Sequence, residues 1–196
     1  MPKRPLTPCL YPGCRNLVKR GFCDEHRYPI NYYPKLKKGF AIDVVMVCGP
    51  PASGKSTFVD KNRKDGDVVI DLDVIKSEIT GKPLHSRHDE LVLDRAIEKR
   101  NKTLMELQDA TGDKTLWFIV GGGYTSDRLK WVSLLQPKEI YVMQATIEEC
   151  FRRIERRKSE TEEEQKNAVL RWFDNYEPLP GEIIINTTIS SGEGCD

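Results

Sequence analysis

The sequence predicts an α/β domain with a parallel sheet of about five strands flanked by helices, preceded by a small cysteine-rich module. Two observations predict the domain: short apolar runs alternate with helical stretches after residue 41, and the first run leads into a glycine-rich turn. The third observation is a cluster of three cysteines within the first 23 residues. Such alternation is typical of parallel strands joined by crossover helices, with the ligand at the carboxyl ends of the strands.

Composition and charge restrict the class of protein. Of the 196 residues, 38% are hydrophobic and 31% are charged. No apolar run approaches the roughly 18 residues of a membrane-spanning helix, so we expect a cytoplasmic protein without membrane or secretory segments. Residues 1–40 hold nine Lys or Arg against two Asp or Glu, whereas the remainder carries a net charge of −6. A basic head favours a nucleic-acid partner, and a solvated flexible arm is the alternative.

The first element is the cysteine cluster. Cys9, Cys14, Cys23 and His26 follow the spacing C-x4-C-x8-C-x2-H. Three thiolates and one imidazole form a complete tetrahedral ligand set for a structural zinc ion (Zn²⁺). About forty residues bury too little apolar surface to fold alone, so the metal would supply folding energy. Disulfides and chance clustering are the alternatives, and disulfides fit poorly with a chain lacking a signal peptide.

The segment CLYPGCRNLVKRGFCDEH resembles the amino-terminal zinc knuckle of many phage HNH-type endonucleases. The residues between the second and third cysteines predict a short strand and a turn at Gly21. The resemblance implies a contact with nucleic acid or a partner. It does not imply nuclease activity, because the chain has three histidines and one belongs to the cluster. A purely structural cap is the alternative. The residues available for phosphates and for base stacking are Arg15, Lys19, Arg20, Arg27, Lys35, Lys37, Lys38, Tyr28, Tyr32 and Tyr33.

Five apolar runs are the strand candidates of the second domain. They are Asp43–Cys48, Val68–Ile70, Thr115–Val120, Ile140–Met143 and Ile183–Ile185. The first runs into GPPASGKST, which satisfies the phosphate-binding pattern G-x4-G-K-[ST]. Its backbone amides can wrap the phosphates of ATP, Lys55 can reach the terminal phosphates and Ser56 can hold Mg²⁺. A turn without a ligand is the alternative. The predicted nucleotide-binding residues are Gly49, Ser53, Gly54, Lys55, Ser56 and Thr57.

The second strand leads into two carboxylates and a cation. Asp73 is the candidate general base, which would accept the proton of an attacking hydroxyl. Lys76, one helical turn on, can bind a phosphate of the acceptor, and Asp71 is expected to face the substrate. The alternative is that Asp71 or Asp73 caps the next helix.

The third strand ends in Gly121–Gly123 and Tyr124, the latter a predicted substrate contact. Consecutive glycines allow close approach by a ligand, and a mobile loop without contacts is the alternative. The strand carries no acidic residue at its end, which disfavours a motor protein. We expect the following helix to be amphipathic, with Leu129, Trp131, Val132 and Leu135 as its apolar residues.

The helix after the fourth strand carries two arginines. Arg153 and Arg157 are four residues apart and share one face, where they can hold the phosphates being transferred. Ile147, Phe151 and Ile154 recur at helical spacing and predict the buried face. A solvated mixture of Arg and Glu is the alternative. The segment after Thr161 predicts a further helix, which completes a lid.

Taken together, GPPASGKST, IDLDVIK, GGGYTSDRLKW and EECFRRIERR resemble the kinase domain of phage polynucleotide 5′-kinases, one group of small P-loop kinases. The likeness spans residues 41–176. Two departures are Lys76, where the family has an arginine that contacts the acceptor phosphate, and Gly121–Gly123, where its strand end is more polar. The resemblance implies ATP and Mg²⁺ binding, a general base, an acceptor contact and a phosphate clamp at Lys55, Ser56, Asp73, Lys76, Arg153 and Arg157.

The resulting prediction is a zinc knuckle over residues 1–30, a linker over 31–40 and a P-loop kinase domain over 41–196. We expect ATP-dependent transfer of the γ-phosphate to a hydroxyl of a nucleic acid, a polynucleotide 5′-hydroxyl. One alternative is a kinase of a nucleoside, a nucleotide or a hydroxymethylated base. Another is a non-catalytic, ATP-gated zinc adaptor that binds DNA.

Overall fold

The computed structural model describes residues 6–9, 11–18, 23, 26–28 and 31–188. It forms two compact units, Met1–Pro34 and Lys35–Asp196. The first unit contains the antiparallel pair β1 (Thr7–Pro8) and β2 (Leu17–Val18). The second unit begins inside the segment predicted as the linker. There the Gln108 side chain accepts from the Lys37 amide at 3.2 Å and donates to the Lys38 carbonyl.

The second unit is an α/β domain with a five-stranded parallel sheet flanked by helices, which confirms the predicted fold class. The strand order is β4-β5-β3-β6-β7. The strands are β3 (Asp43–Cys48), β4 (Val68–Asp71), β5 (Thr115–Val120), β6 (Glu139–Gln144) and β7 (Glu182–Asn186). The helices are α1 (Lys55–Asn62), α2 (Leu72–Thr80), α3 (Glu90–Leu107), α4 (Thr125–Leu135), α5 (Ile147–Arg157) and α6 (Glu162–Asn175).

The core lies on both faces of the central strand β3, whose residues after Asp43 are all buried. A strand covered on both faces is a continuous apolar run rather than an alternating one, as the sequence shows. On one face Val45 and Val47 pack with Val59 of α1. A second cluster joins Ala52 to Ile154 of α5 and Val169 of α6. The phosphate-loop region therefore rests on the buried faces of α5 and α6.

The predicted face of α5 is correct: Ile154 is fully buried, and Ile147 and Phe151 pack against its cluster. The predicted face of α4 is wrong in part. Trp131 and Leu135 are buried, but Leu129 is 51% exposed and Arg128 is buried instead.

Arg128 is buried because every side of its guanidinium group has a partner. Its Nε lies 2.7 Å from Glu182 Oε1, and both side chains are at most 1% exposed. Its other nitrogens donate to the carbonyls of Gly122, at 2.6 Å, and of Glu177. The Tyr176 ring covers it, with the guanidinium carbon 4.6 Å from the ring centroid. A buried charge is tolerated when it is paired and hydrogen-bonded in this way.

Within the described ranges, none of the helices combines the length and the apolar character needed to cross a bilayer.

Candidate functional site

The glycine-rich loop connects β3 to α1. At its first residue there is no room for a side chain, so only glycine fits. A Cβ atom on Gly49 would lie 2.5 Å from the Met143 carbonyl oxygen and 2.6 Å from Ser53 Oγ. Gly54, which caps α1, has a φ of 98°. Ala52 also has a positive φ, 61°, which is a strained conformation for a residue with a side chain. The loop is therefore held in one shape by its surroundings.

The interior of this loop contains polar groups that a bound ligand could contact. Lys55 Nζ donates to the carbonyls of Gly49 and Pro50 at 2.9 and 2.8 Å. Burial lowers the pKa of Lys55, and the carboxylates of Asp71 and Asp73 oppose that shift. Ser53 Oγ is buried and has no hydrogen-bond partner among the described residues. Together with the amides in the first turn of α1, which have no acceptor within the helix itself, these groups fit the phosphates of a nucleotide.

Asp71 stands at the junction of β4 and α2. Its Oδ1 accepts from the Asp73 amide at 2.9 Å, so Asp71 is the N-cap of α2. Its Oδ2 accepts from Ser56 Oγ at 3.4 Å. The capping role considered for either carboxylate thus falls on Asp71. The contact also places a hydroxyl and a carboxylate together, which are oxygen ligands of the kind that Mg²⁺ prefers.

Asp73 lies in the first turn of α2 and caps nothing. Its Oδ1 is 2.5 Å from Lys76 Nζ, and its Oδ2 is 3.9 Å from His85 Nδ1. Burial acts to raise the pKa of Asp73, but Lys76 outweighs it and the pKa is lowered. Burial and the Asp73 charge raise the pKa of Asp71. Neighbouring carboxylates with pKa values pushed apart are suited to different roles, and Asp73 has the lower pKa of the two.

The two arginines of α5 have different surroundings. Arg153 donates to Glu149 Oε1 at 2.6 Å, to the Ala52 carbonyl at 3.1 Å and to the Thr187 carbonyl at 2.5 Å. It thereby connects α5, the loop and the end of β7. Arg157 donates to Gln165 Oε1 at 3.3 Å. Burial lowers the pKa of Arg157, and the Asp73 charge opposes this shift.

The glycines after β5 make room for protein side chains. A Cβ atom on Gly123 would lie 2.9 Å from Trp172 Cδ1, and one on Gly122 would lie 3.1 Å from Arg128 Cγ. The Trp172 indole N–H donates to the Gly121 carbonyl at 2.8 Å. Tyr124 is half-buried, and its carbonyl accepts from the Arg128 amide at 3.2 Å at the start of α4.

Two residues of the site were not predicted. Thr187 follows β7, and its hydroxyl donates a hydrogen bond to the Ser53 carbonyl at 2.7 Å. His85 lies in the connection between α2 and α3 and faces Asp73. Neither residue belongs to a local pattern, because each reaches the site from a distant part of the sequence. The isolated apolar run of β7 was the only signal near Thr187.

The four ligands predicted for zinc come together in the first unit. The three sulfurs and the His26 ring nitrogen lie within 4.8 Å of one another. Cys14 and Cys23 have sulfurs 3.9 Å apart, far beyond a disulfide bond of about 2.05 Å. Sulfurs on a tetrahedral zinc ion are separated by about 3.8 Å, given a Zn–S bond of about 2.3 Å. The donor set therefore fits zinc.

Backbone geometry supports the cluster. The Cys9 amide donates to the Asn16 carbonyl at 2.8 Å next to the β1–β2 pair, and Gly13 turns the chain with a φ of 79°. The amides of Tyr11 and Cys23 point at Cys9 Sγ, at 3.4 and 3.2 Å. Burial acts to raise the pKa of Cys9, but these donors and His26 lower it, which favours the thiolate. The predicted turn at Gly21 lies outside the described residues, as do Lys19 and Arg20.

The tyrosines predicted to be available for base stacking contact one another. Tyr28 and Tyr32 are parallel with ring centroids 3.9 Å apart, and Tyr33 meets Tyr32 edge-on. Tyr32 is buried. The exposed ring is that of Tyr11, which is 50% exposed and stacks on His26 with ring centroids 3.9 Å apart.

Comparisons with known proteins agree with this division of the chain. The family described as AAA domain matches residues 44–179. A domain of unknown function (DUF8602) matches residues 1–38. No curated protein matches the chain.

Solved structures with related folds include TT1252 from Thermus thermophilus. It is 18% identical with a TM-score of 0.46, and the match covers 81% of this chain and 91% of that one. Shikimate kinase from Bacteroides thetaiotaomicron is 15% identical with a TM-score of 0.41, covering 67% and 77% of the two chains.

Proposed function

Since the chain belongs to the AAA domain family, we propose that it is an ATP- and Mg²⁺-dependent kinase that transfers the γ-phosphate to a polynucleotide 5′-hydroxyl. Its second unit is a P-loop kinase-like domain, which supports a phosphotransferase. One observation carries the proposal further: the Ser56–Asp71 contact of 3.4 Å brings the end of β4 beside the phosphate loop. Asp73, ionised and two residues on, is then within reach of a hydroxyl facing the γ-phosphate.

In the proposed reaction, the acceptor oxygen attacks the γ-phosphorus and forms a new P–O bond. The bond between that phosphorus and the bridging oxygen breaks, and ADP leaves. The hydroxyl proton passes to Asp73, which Lys76 holds in its ionised form at 2.5 Å. When bound, Mg²⁺ neutralises phosphate charge, and Ser56 with Asp71 would hold it.

The cations divide the work of holding the donor. Lys55 exchanges the carbonyls of Gly49 and Pro50 for the β- and γ-phosphates. Arg153 maintains the loop through the Ala52 carbonyl and approaches the phosphates from there. Arg157, one turn along α5, contacts the transferred group, whose negative charge it stabilises.

In the first unit, the proposal assigns Cys9, Cys14, Cys23 and His26 to one structural zinc ion. The exposed Tyr11 ring and Arg15 then offer stacking and charge to a nucleic-acid strand. Nucleic acid is also the partner that the basic composition of residues 1–40 favours.

The test is transfer of label from γ-labelled ATP to a panel of acceptors. DNA and RNA oligonucleotides with a 5′-hydroxyl are compared with the same oligonucleotides carrying a 5′-phosphate, with mononucleosides and with hydroxymethylated DNA. We expect label on the 5′-hydroxyl oligonucleotides and none on their phosphorylated counterparts. Label on mononucleosides or on the hydroxymethylated base would instead show one of the alternative kinases. DNA binding that survives Lys55→Ala, without any labelled product, would show an adaptor.

A further inference from the structure

The connection between α2 and α3 brings a second side chain to Asp73. His85 Nδ1 lies 3.9 Å from Asp73 Oδ2, whereas Lys76 Nζ occupies the other oxygen at 2.5 Å. The two oxygens of Asp73 are therefore not equivalent. Oδ1 is engaged by an ion pair, and Oδ2 faces an imidazole that is too far away for a direct hydrogen bond.

The backbone holds His85 in this position. Its φ is 65°, in the left-handed region that residues with side chains seldom adopt. Its carbonyl accepts from Thr161 Oγ1 at 2.7 Å, which ties the connection to the residue before α6. Two residues on, Arg87 forms an ion pair with Glu164 of α6 at 2.5 Å. An unusual conformation that two contacts maintain is a frequent feature of functional sites.

The separation of His85 Nδ1 and Asp73 Oδ2 allows one oxygen atom to contact both of them from the side. An oxygen about 2.8 Å from each of two polar atoms bridges them when they are separated by roughly 4 Å. His85 is three-quarters buried, and burial together with the Arg157 charge lowers its pKa, while Asp73 and Asp71 oppose the shift and Lys76 adds to it. An imidazole nitrogen and a carboxylate oxygen at this separation suit a hydroxyl group, which both donates and accepts hydrogen bonds.

We propose that His85 binds the acceptor hydroxyl jointly with Asp73. The hydroxyl donates its proton to Asp73 Oδ2 and accepts a hydrogen bond from the Nδ1–H of His85. The second lone pair of the oxygen remains available for attack on the γ-phosphorus. This inference rests on the proposed function and adds a residue that selects and orients the acceptor, independently of the groups that hold ATP.

Two substitutions separate the ring from the backbone. His85→Gly keeps the left-handed conformation and removes the ring, whereas His85→Asn also tolerates that conformation and puts an amide nitrogen near the position of Nδ1. Alanine is avoided because it would add backbone strain. The full-length variants are compared with wild type for ATP dissociation constant, melting temperature and kcat/KM toward a 5′-hydroxyl oligonucleotide.

We expect His85→Gly to lower kcat/KM for the acceptor at least tenfold, with the ATP dissociation constant within twofold of wild type. His85→Asn should retain activity within about threefold, since its amide nitrogen can replace the hydrogen bond that the ring donates. Equal losses in both variants, or no loss in His85→Gly, would overturn the role of His85 while leaving the kinase intact. A wild-type protein that labels no acceptor would instead overturn the proposed function and this inference with it.

Discussion

Gly121 and Gly123 are two residues apart and have opposite surroundings. A Cβ atom on Gly121 would meet nothing within 4 Å, whereas one on Gly123 would lie 2.9 Å from Trp172 Cδ1 and 3.2 Å from its Cα. Trp172 is buried in α6 and donates to the Gly121 carbonyl. Gly123 therefore has to lack a side chain so that the segment after β5 can pack against Trp172 of α6.

Gly123→Ala is expected to lower the free energy of unfolding by about 1–3 kcal/mol, because the new methyl group forces Trp172 to move. Gly121→Ala is the matched control. It should leave that free energy unchanged or raise it by up to about 1 kcal/mol, since alanine restricts the unfolded chain. Urea denaturation measures both, and equal values for the two variants would refute the packing argument.

At the level of elements, α5 supports the phosphate loop through one side chain. Arg153 joins Glu149 of its own helix to the Ala52 carbonyl and to the Thr187 carbonyl beyond β7. Its neighbour Arg152 also pairs with Glu149 but is 44% exposed, and its side-chain hydrogen bonds within the described part of the chain go to Glu149. The two arginines thus share a carboxylate and differ in whether they reach the nucleotide site.

We expect Arg153→Ala to raise the ATP dissociation constant at least tenfold, because a lost hydrogen bond from a charged group costs roughly 1.5–3 kcal/mol and the loop becomes less ordered. Arg152→Ala should change it by less than about threefold, since a half-exposed ion pair contributes little. Isothermal titration with ATP checks both. If Arg152→Ala weakens ATP binding as much as Arg153→Ala, the supporting role of Arg153 is wrong.

The sequence predicted the elements whose signals are local. The predicted strands Asp43–Cys48 and Thr115–Val120 agree with β3 and β5 at both ends. Parallel strands that are buried on both faces have nearly unbroken apolar sequences, which makes their ends easy to locate. The phosphate loop was recognisable for the same reason, as its glycines and Lys55 lie within nine residues.

Contacts between distant segments could not be predicted in this way. The burial of Arg128 depends on Glu182, 54 residues away, so the helix pattern of α4 indicated Leu129 instead. His85 faces Asp73 only because the connection after α2 turns back through a left-handed residue. Thr187 reaches Ser53 across 134 residues. Each of these contacts depends on the tertiary fold, so no regular spacing of residues in the sequence indicates it.

At the scale of the whole molecule, two units with different sources of stability share one chain. The second unit has a buried core around β3, whereas the first is short and gathers three thiols and an imidazole within 4.8 Å. We expect a unit of that size to depend on a bound metal for folding, because it buries too little apolar surface by itself. Nucleotide binding resides in the other unit, so the two properties should be separable.

We expect the purified protein to contain about one zinc ion per chain, and Cys14→Ser to lose it, because one ligand of four is removed. Loss of zinc should weaken oligonucleotide binding and leave the ATP dissociation constant within twofold of wild type. Cys195→Ser, outside the predicted ligand set, is the control and should keep its zinc. Metal analysis with both titrations checks this, and a zinc-free wild-type protein would contradict it.

In the proposed mechanism, an ionised Asp73 faces the γ-phosphate held by the loop and accepts the proton of the acceptor. The most direct measurement is the rate of γ-phosphate transfer by Asp73→Asn, alongside its ATP dissociation constant and with the exposed Asp60→Asn as control. We predict that Asp73→Asn binds ATP within about twofold of wild type and transfers phosphate at least a hundredfold more slowly, as the loss of a general base requires. Transfer by Asp73→Asn at the wild-type rate would contradict this mechanism.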